Sequence, residues 1–118
     1  MQPKVKKNWI NALCDGRKYR QYRGGLRGEG NLRCAGGVLT DLFIFSSAGR
    51  NANASWCGML YVSEIEDHEK LVVPLEVVRW AGLPSSNPIL GTYGDLQTLN
   101  DVKMMKFREI ADLIDLYL

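Results

Sequence analysis

The run from Cys34 to Phe45 constrains this chain more than any other. Cys34, Val38, Leu42 and Phe45 recur at helical spacing, with Leu39 and Phe43 beside them. Only Thr40 and Asp41 interrupt the apolar character, so a helix here is buried nearly all round. Gly36-Gly37 weaken its first turn, and a strand is the other reading. At the far end, Phe107, Ile110, Ala111, Ile114, Tyr117 and Leu118 form a one-sided stripe opposite Arg108, Glu109, Asp112 and Asp115. That pattern is an amphipathic helix with one buried face.

Between these, the chain alternates short elements and turn signals. Asn8 caps a short first helix carrying Trp9, Ile10 and Leu13, and Asp15-Gly16 ends it with a left-handed glycine. Lys18 to Arg23 reads as a ragged strand or loop into Gly24-Gly25, and Gly28-Glu29-Gly30-Asn31 is a second turn. Ser46 to Ser55 reads as a surface loop. Trp56 to Ile65 has strand composition, Glu64 to Glu69 is an acidic turn, and Leu71-Val72-Val73 closes that hairpin as a strand. Pro74 opens a helix to Ala81, Glu76 sits in its first turn, and Gly82 stops it. A Pro, Gly and Ser-rich loop follows, then a helical turn over Asp95 to Asn100. With 118 residues, 46% of them apolar and 24% charged, the chain suits one domain spanning 1–118. The expected class is α+β, with helices packed on a short antiparallel sheet and an exposed basic N-terminal hairpin.

Charge is unevenly placed. Residues 1 to 34 hold nine basic side chains and two acidic ones, 9 − 2 = +7, and the remainder holds six and eleven, 6 − 11 = −5. The positive charge centres on Gly16 to Gly28, where arginines, tyrosines and glycines alternate in a way that no core requires. Arginine forks pair with phosphate oxygens, tyrosine rings stack on bases, and glycines let backbone amides approach an anion. The candidate ligand-binding residues are therefore Arg17, Lys18, Tyr19, Arg20, Tyr22, Arg23, Arg27 and Arg33. The plainer reading is a solvated hairpin whose arginines meet the acidic part of the same chain.

Catalytic chemistry finds little support. Gly24 to Gly28 lacks the spacing of a dinucleotide site, and there is no P-loop or Gly-x-Ser-x-Gly. His68 is the one histidine, among Glu64, Glu66, Asp67 and Glu69; that turn reads as acidic surface rather than a metal loop. Asn100-Asp101 reads as a cap or turn, Trp9, Trp56 and Trp80 as core, and Trp80 could also line a pocket. Three unpaired cysteines, Cys14, Cys34 and Cys57, fit a reducing compartment. The charged start lacks the apolar run of a signal peptide, and no run approaches membrane-spanning length. The expectation is a cytoplasmic protein with no cofactor and no membrane partner.

Several phrases occur together in order: Asn11-Ala12-Leu13, Gly16-Arg17-Lys18-Tyr19-Arg20-Gln21, Gly25-Leu26-Arg27, and Gly37-Val38-Leu39-Thr40-Asp41-Leu42. Leu75 to Leu83, Leu99-Asn100-Asp101 and Phe107 to Ile114 follow. Together they resemble a family of small uncharacterised proteins encoded by bacteriophages and prophages. The resemblance carries no known activity. It differs at Cys34-Ala35-Gly36, where adjacent cysteines would be expected, and at Met104-Met105-Lys106, where a Ser or Thr cap would be. What it implies is an accessory protein acting on host machinery or host defence, in the host cytoplasm. The leading expectation is a non-enzymatic protein that sequesters a phosphate-bearing ligand, such as a signalling nucleotide. A protein-interaction inhibitor of anti-CRISPR or anti-restriction type and a small DNA- or RNA-binding protein are the alternatives. The opposed charges also suit a homo-oligomer.

Overall fold

A computed structural model describes residues 1–65 and 69–118. Glu66, Asp67 and His68, and with them the acidic His turn, lie outside the described residues. The order is α1 (Pro3–Cys14), β1 (Arg20–Gln21), β2 (Leu32–Arg33), α2 (Ala35–Ile44), α3 (Ser47–Asn51), β3 (Ser55–Cys57), β4 (Leu60–Val62), α4 (Leu75–Ala81), α5 (Leu96–Asp101) and α6 (Phe107–Tyr117). The class is α+β, as the sequence suggests.

Helix α2 is the apolar run, and it is the hub: α1, α3, α4 and α5 all pack on it. Every residue of it but Leu42 is buried. Cys34 caps it, its sulfur accepting the Gly37 N–H at 3.3 Å. The two weak helix formers at its start have a tertiary reason. A Cβ on Gly37 would collide with the Leu26 carbonyl, and one on Gly36 would press Val73. Helix α1 lies against α2 and α6. It starts at Pro3, not at Asn8, because proline's fixed φ suits a first helical position; Asn8 is an exposed mid-helix residue. Trp9 is fully buried, and its indole N–H donates to the Ala35 carbonyl at 2.9 Å. The helix does not stop on a left-handed glycine. Asp15 ends it, its carboxylate accepting the Arg17 N–H at 3.1 Å.

Two other expectations change. Ser46 to Ser55 is not all loop: Ser46 caps the short helix α3 by accepting the Gly49 N–H at 3.1 Å. The hairpin of β3 and β4 pairs Trp56 with Tyr61, and the bridge that extends it is Tyr61 with Glu69. Leu71 to Val73 is not a strand, because the Glu69 carboxylate gathers the N–H groups of Lys70, Leu71 and Val72 into a turn. Tyr61 ties the hairpin to α4 through a 2.8 Å hydrogen bond to Glu76. Gly82, at φ 70°, ends α4. Asp95 caps α5 by accepting the Thr98 N–H at 2.9 Å. Glu109 accepts the Lys106 N–H at 3.1 Å, which substitutes for the missing hydroxyl cap of α6.

Candidate functional site

The basic segment folds as a small ladder around β2. β1 pairs with β2 in parallel, Arg20 opposite Leu32 and Gln21 opposite Arg33. On the other side, Arg27 pairs with Arg33 antiparallel across the Glu29–Asn31 turn. The hairpin expected here is thus this tight return, and the strand before it joins parallel. Asn100 locks the ladder to the helices. Its side chain accepts from Gln21 at 2.9 Å and from the Ala35 N–H at 3.2 Å, and donates to the Tyr22 carbonyl at 2.8 Å and to Asp101 at 2.7 Å. A buried amide using both of its ends is a structural clasp.

The eight candidate residues do not converge on one site. Arg17, Lys18, Arg20 and Arg23 are exposed. Arg17 pairs with Asp15, whose carboxyl is held below the ordinary range chiefly by the Arg17 amide, and Arg20 donates to Asn31 at 3.1 Å. Tyr22 is half-buried with its ring against Gly28, where a Cβ would lie 2.9 Å from it. Tyr22 therefore packs against the turn.

Tyr19 and Arg33 turn inward, onto a residue that sequence reasoning treated only as an interruption of α2. Asp41 is buried at 4% exposure. Its Oδ2 accepts the Tyr19 hydroxyl at 2.8 Å, and its Oδ1 accepts the Trp56 indole N–H at 2.7 Å. The Arg33 Nε stands 3.4 Å from Oδ2. The signal was available: an acid inside an otherwise apolar helix needs partners, because an uncompensated buried charge is costly. Burial, then the neighbouring Asp41 charge, push the Tyr19 phenol well above its ordinary value, so it stays protonated and donates. Arg27 donates to the Gly58 carbonyl, and its guanidinium lies 5.7 Å from the Trp56 ring.

On the outer side of Tyr19 and Asp41 a cleft of about 520 Å³ opens between α1, α2 and α4. Lys4 and Asn8 line it from α1, Lys18 and Tyr19 from the segment before β1, and Asp41, Phe45 and Ser46 from α2 and its end. Trp80 lines it from α4, steadied by an edge-on contact with Phe43 at 5.3 Å. Phe45 is 68% exposed. Of the eight candidates only Lys18 and Tyr19 reach this cleft. Lys4, Asn8 and Phe45 are not among the sequence-based site candidates, since the local pattern gives each only a surface, cap or core role. A second cavity, beside Cys34 and Asn100, has about 10 Å³, room for about one water. Burial there raises the Cys34 thiol to about 11, which keeps it protonated at neutral pH.

Fold and site together define a small α+β domain with an open, lysine-bearing aromatic cleft above a buried aspartate. No helix among the described residues is long and apolar enough to cross a membrane. The chain belongs to the family described as Domain of unknown function (DUF8296), whose model matches residues 1–118. Comparison with curated proteins and with solved structures gives no match.

Proposed function

We propose that the protein is a non-enzymatic binding protein whose cleft takes a phosphate-bearing aromatic ligand, a nucleotide in kind. The observation that carries this reading is the cleft itself: about 520 Å³ lined by Lys4, Lys18, Phe45 and Trp80. Pockets of this volume suit small molecules, and flat rings with cations nearby suit bases bearing phosphates. The Asp41 carboxylate at its inner side is already answered by Tyr19, Trp56 and Arg33, so it offers an incoming anion little unshielded negative charge. The outer cations Arg17, Arg20 and Arg23 are exposed and raise the local anion concentration. The resemblance to small phage-encoded proteins supplies the purpose: in the host cytoplasm, sequestering a signalling nucleotide would blunt a defence that depends on it.

Calorimetric titration with a panel of linear and cyclic nucleotides tests the reading. Saturable micromolar binding of at least one, lost in Lys4→Ala/Lys18→Ala, is the expected result. No binding of any nucleotide at micromolar concentration would sink it. The second reading is a protein-interaction inhibitor or self-associating protein, favoured by exposed apolar side chains such as Ile89 at 70%, Val102 at 74% and Leu116 at 73%. Light scattering showing a stable homo-oligomer would support self-association, whereas a monomer at all concentrations would leave those residues for another protein. Direct nucleic-acid binding is the third, and gel shifts with no retardation at low salt would exclude it.

A further inference from the structure

We propose a second anion site, separate from the cleft, in which Arg27 and Arg33 together hold a small oxyanion beside Trp56. The two arginines are a cross-strand pair. Hydrogen bonds from Gly28 N–H to the Leu32 carbonyl (3.0 Å) and from Cys34 N–H to the Leu26 carbonyl (3.2 Å) flank them. That is the non-hydrogen-bonded kind of pair, whose Cα atoms approach to about 4.5 Å and whose side chains share one face. Both guanidinium groups accordingly lie over the same ring, 5.7 and 5.5 Å from the centre of Trp56.

Like charges placed opposite each other in a ladder repel. Among the described residues, the compensation in contact with them is a single carboxylate, Asp41, at 3.4 Å from the Arg33 Nε. Asp41 also serves Tyr19 and Trp56, and among the described residues Arg27 donates only to the neutral Gly58 carbonyl. Two positive charges therefore face one negative. Moreover, the Nε–H groups of both arginines are buried with no hydrogen-bond acceptor among the described residues. The 3.4 Å separation from Asp41 is an ion pair without hydrogen-bond alignment. Arg33 is only 7% exposed, so its unmet donor is costly. One water could accept a hydrogen bond but would leave the surplus charge. An oxyanion with two acceptor oxygens, a carboxylate or a phosphate group, answers both needs, and guanidinium forks match its geometry. Arg27 is half-exposed, which leaves an approach from solvent. None of Arg27, Arg33 and Trp56 lines the cleft, so this site stands or falls independently of the proposed nucleotide binding.

The test is a titration of the full chain followed by NMR of the arginine Nε–H and tryptophan indole resonances. Sodium phosphate and sodium acetate form two arms, with sodium chloride at equal ionic strength as the control. The expected result is that Arg27 Nε–H, Arg33 Nε–H and the Trp56 indole shift along one saturable curve with at least one oxyanion and not with chloride. A curve for phosphate alone marks a tetrahedral group, and one for acetate a carboxylate. Arg27→Gln should weaken the response at Arg33 by about tenfold, the loss of a charge-assisted hydrogen bond. Lys18→Gln, in the cleft, should leave it unchanged. The proposal is overturned by chloride matching the oxyanions, by an unaltered curve in Arg27→Gln, or by wild-type shifts confined to Arg17, Arg20 and Arg23. The wild-type resonances decide the matter even where Arg27→Gln does not fold.

Discussion

At the scale of single residues, the structure turns on Asp41. A carboxylate buried in α2 is stable because a phenol, an indole and a guanidinium reach it from three separate segments. Tyr19→Phe removes one of these donors and nothing else of size. A hydrogen bond to a charged acceptor contributes about 1.5–3 kcal/mol, so urea denaturation should show a loss of about 2 kcal/mol. A loss under about 0.5 kcal/mol would mean that Tyr19 is not a working partner of Asp41. Gly37 makes the complementary point through space rather than charge. Its missing side chain is where the Leu26 carbonyl passes. Gly37→Ala should therefore destabilise by several times the gain of about 1 kcal/mol that alanine normally brings inside a helix. Gly16→Ala, with nothing within 4 Å, should be close to neutral, and thermal melts of the two variants compare them. Neither role was legible from the residue alone. Glycine in a first turn looks like weakness until the strand that crosses it is known. Asp41 looked like an interruption because its partners are 15 and 22 residues away for Trp56 and Tyr19.

At the scale of elements, what was legible followed from periodicity. The all-round apolar run gave a buried helix, and the one-sided stripe gave α6. Ends were harder, because they depend on which side chain reaches which amide. Pro3 starts α1 five residues before the expected cap, and Glu69 gathers the amides of Leu71 and Val72 into a turn despite their strand composition. Asp95, the first residue of the helical turn read over Asp95 to Asn100, is the cap of α5 rather than its first turn. Its carboxyl is held below the ordinary carboxylate range, mainly by the Thr98 amide. A depressed carboxyl stabilises the fold above its unfolded pKa, and that contribution fades as pH falls through the lower folded value. Asp95→Ala should cost about 1 kcal/mol at neutral pH, with the difference from wild type shrinking in acid. Urea titrations at several pH values would show it, and a difference that grows in acid would contradict the assignment.

At the scale of the whole molecule, the charge asymmetry closes on itself at few points among the described residues. Among the described residues two ion pairs are present, Arg17 with Asp15 and Arg33 with Asp41. Of these only Arg33 joins the basic segment to the acidic remainder, so among the described residues the expected self-pairing involves one arginine. The radius of gyration, 12.8 Å, is close to the roughly 13.5 Å expected for a compact chain of this length. One core, with α2 at its centre, implies one transition. Tryptophan fluorescence from Trp9, Trp56 and Trp80 and far-ultraviolet circular dichroism should lose signal at the same denaturant midpoint. Separate midpoints would show that the hairpin or the basic ladder unfolds alone. The candidate site is also a whole-molecule property. Lys4, Lys18, Phe45 and Trp80 come from four parts of the chain, and the cleft exists only once α1, α2 and α4 have packed. NMR mapping of the tightest-binding nucleotide tests the proposed binding most directly. Shifts at Lys18, Phe45 and the Trp80 indole are expected; shifts confined to other surfaces, or none at saturating concentration, would contradict nucleotide binding in the cleft.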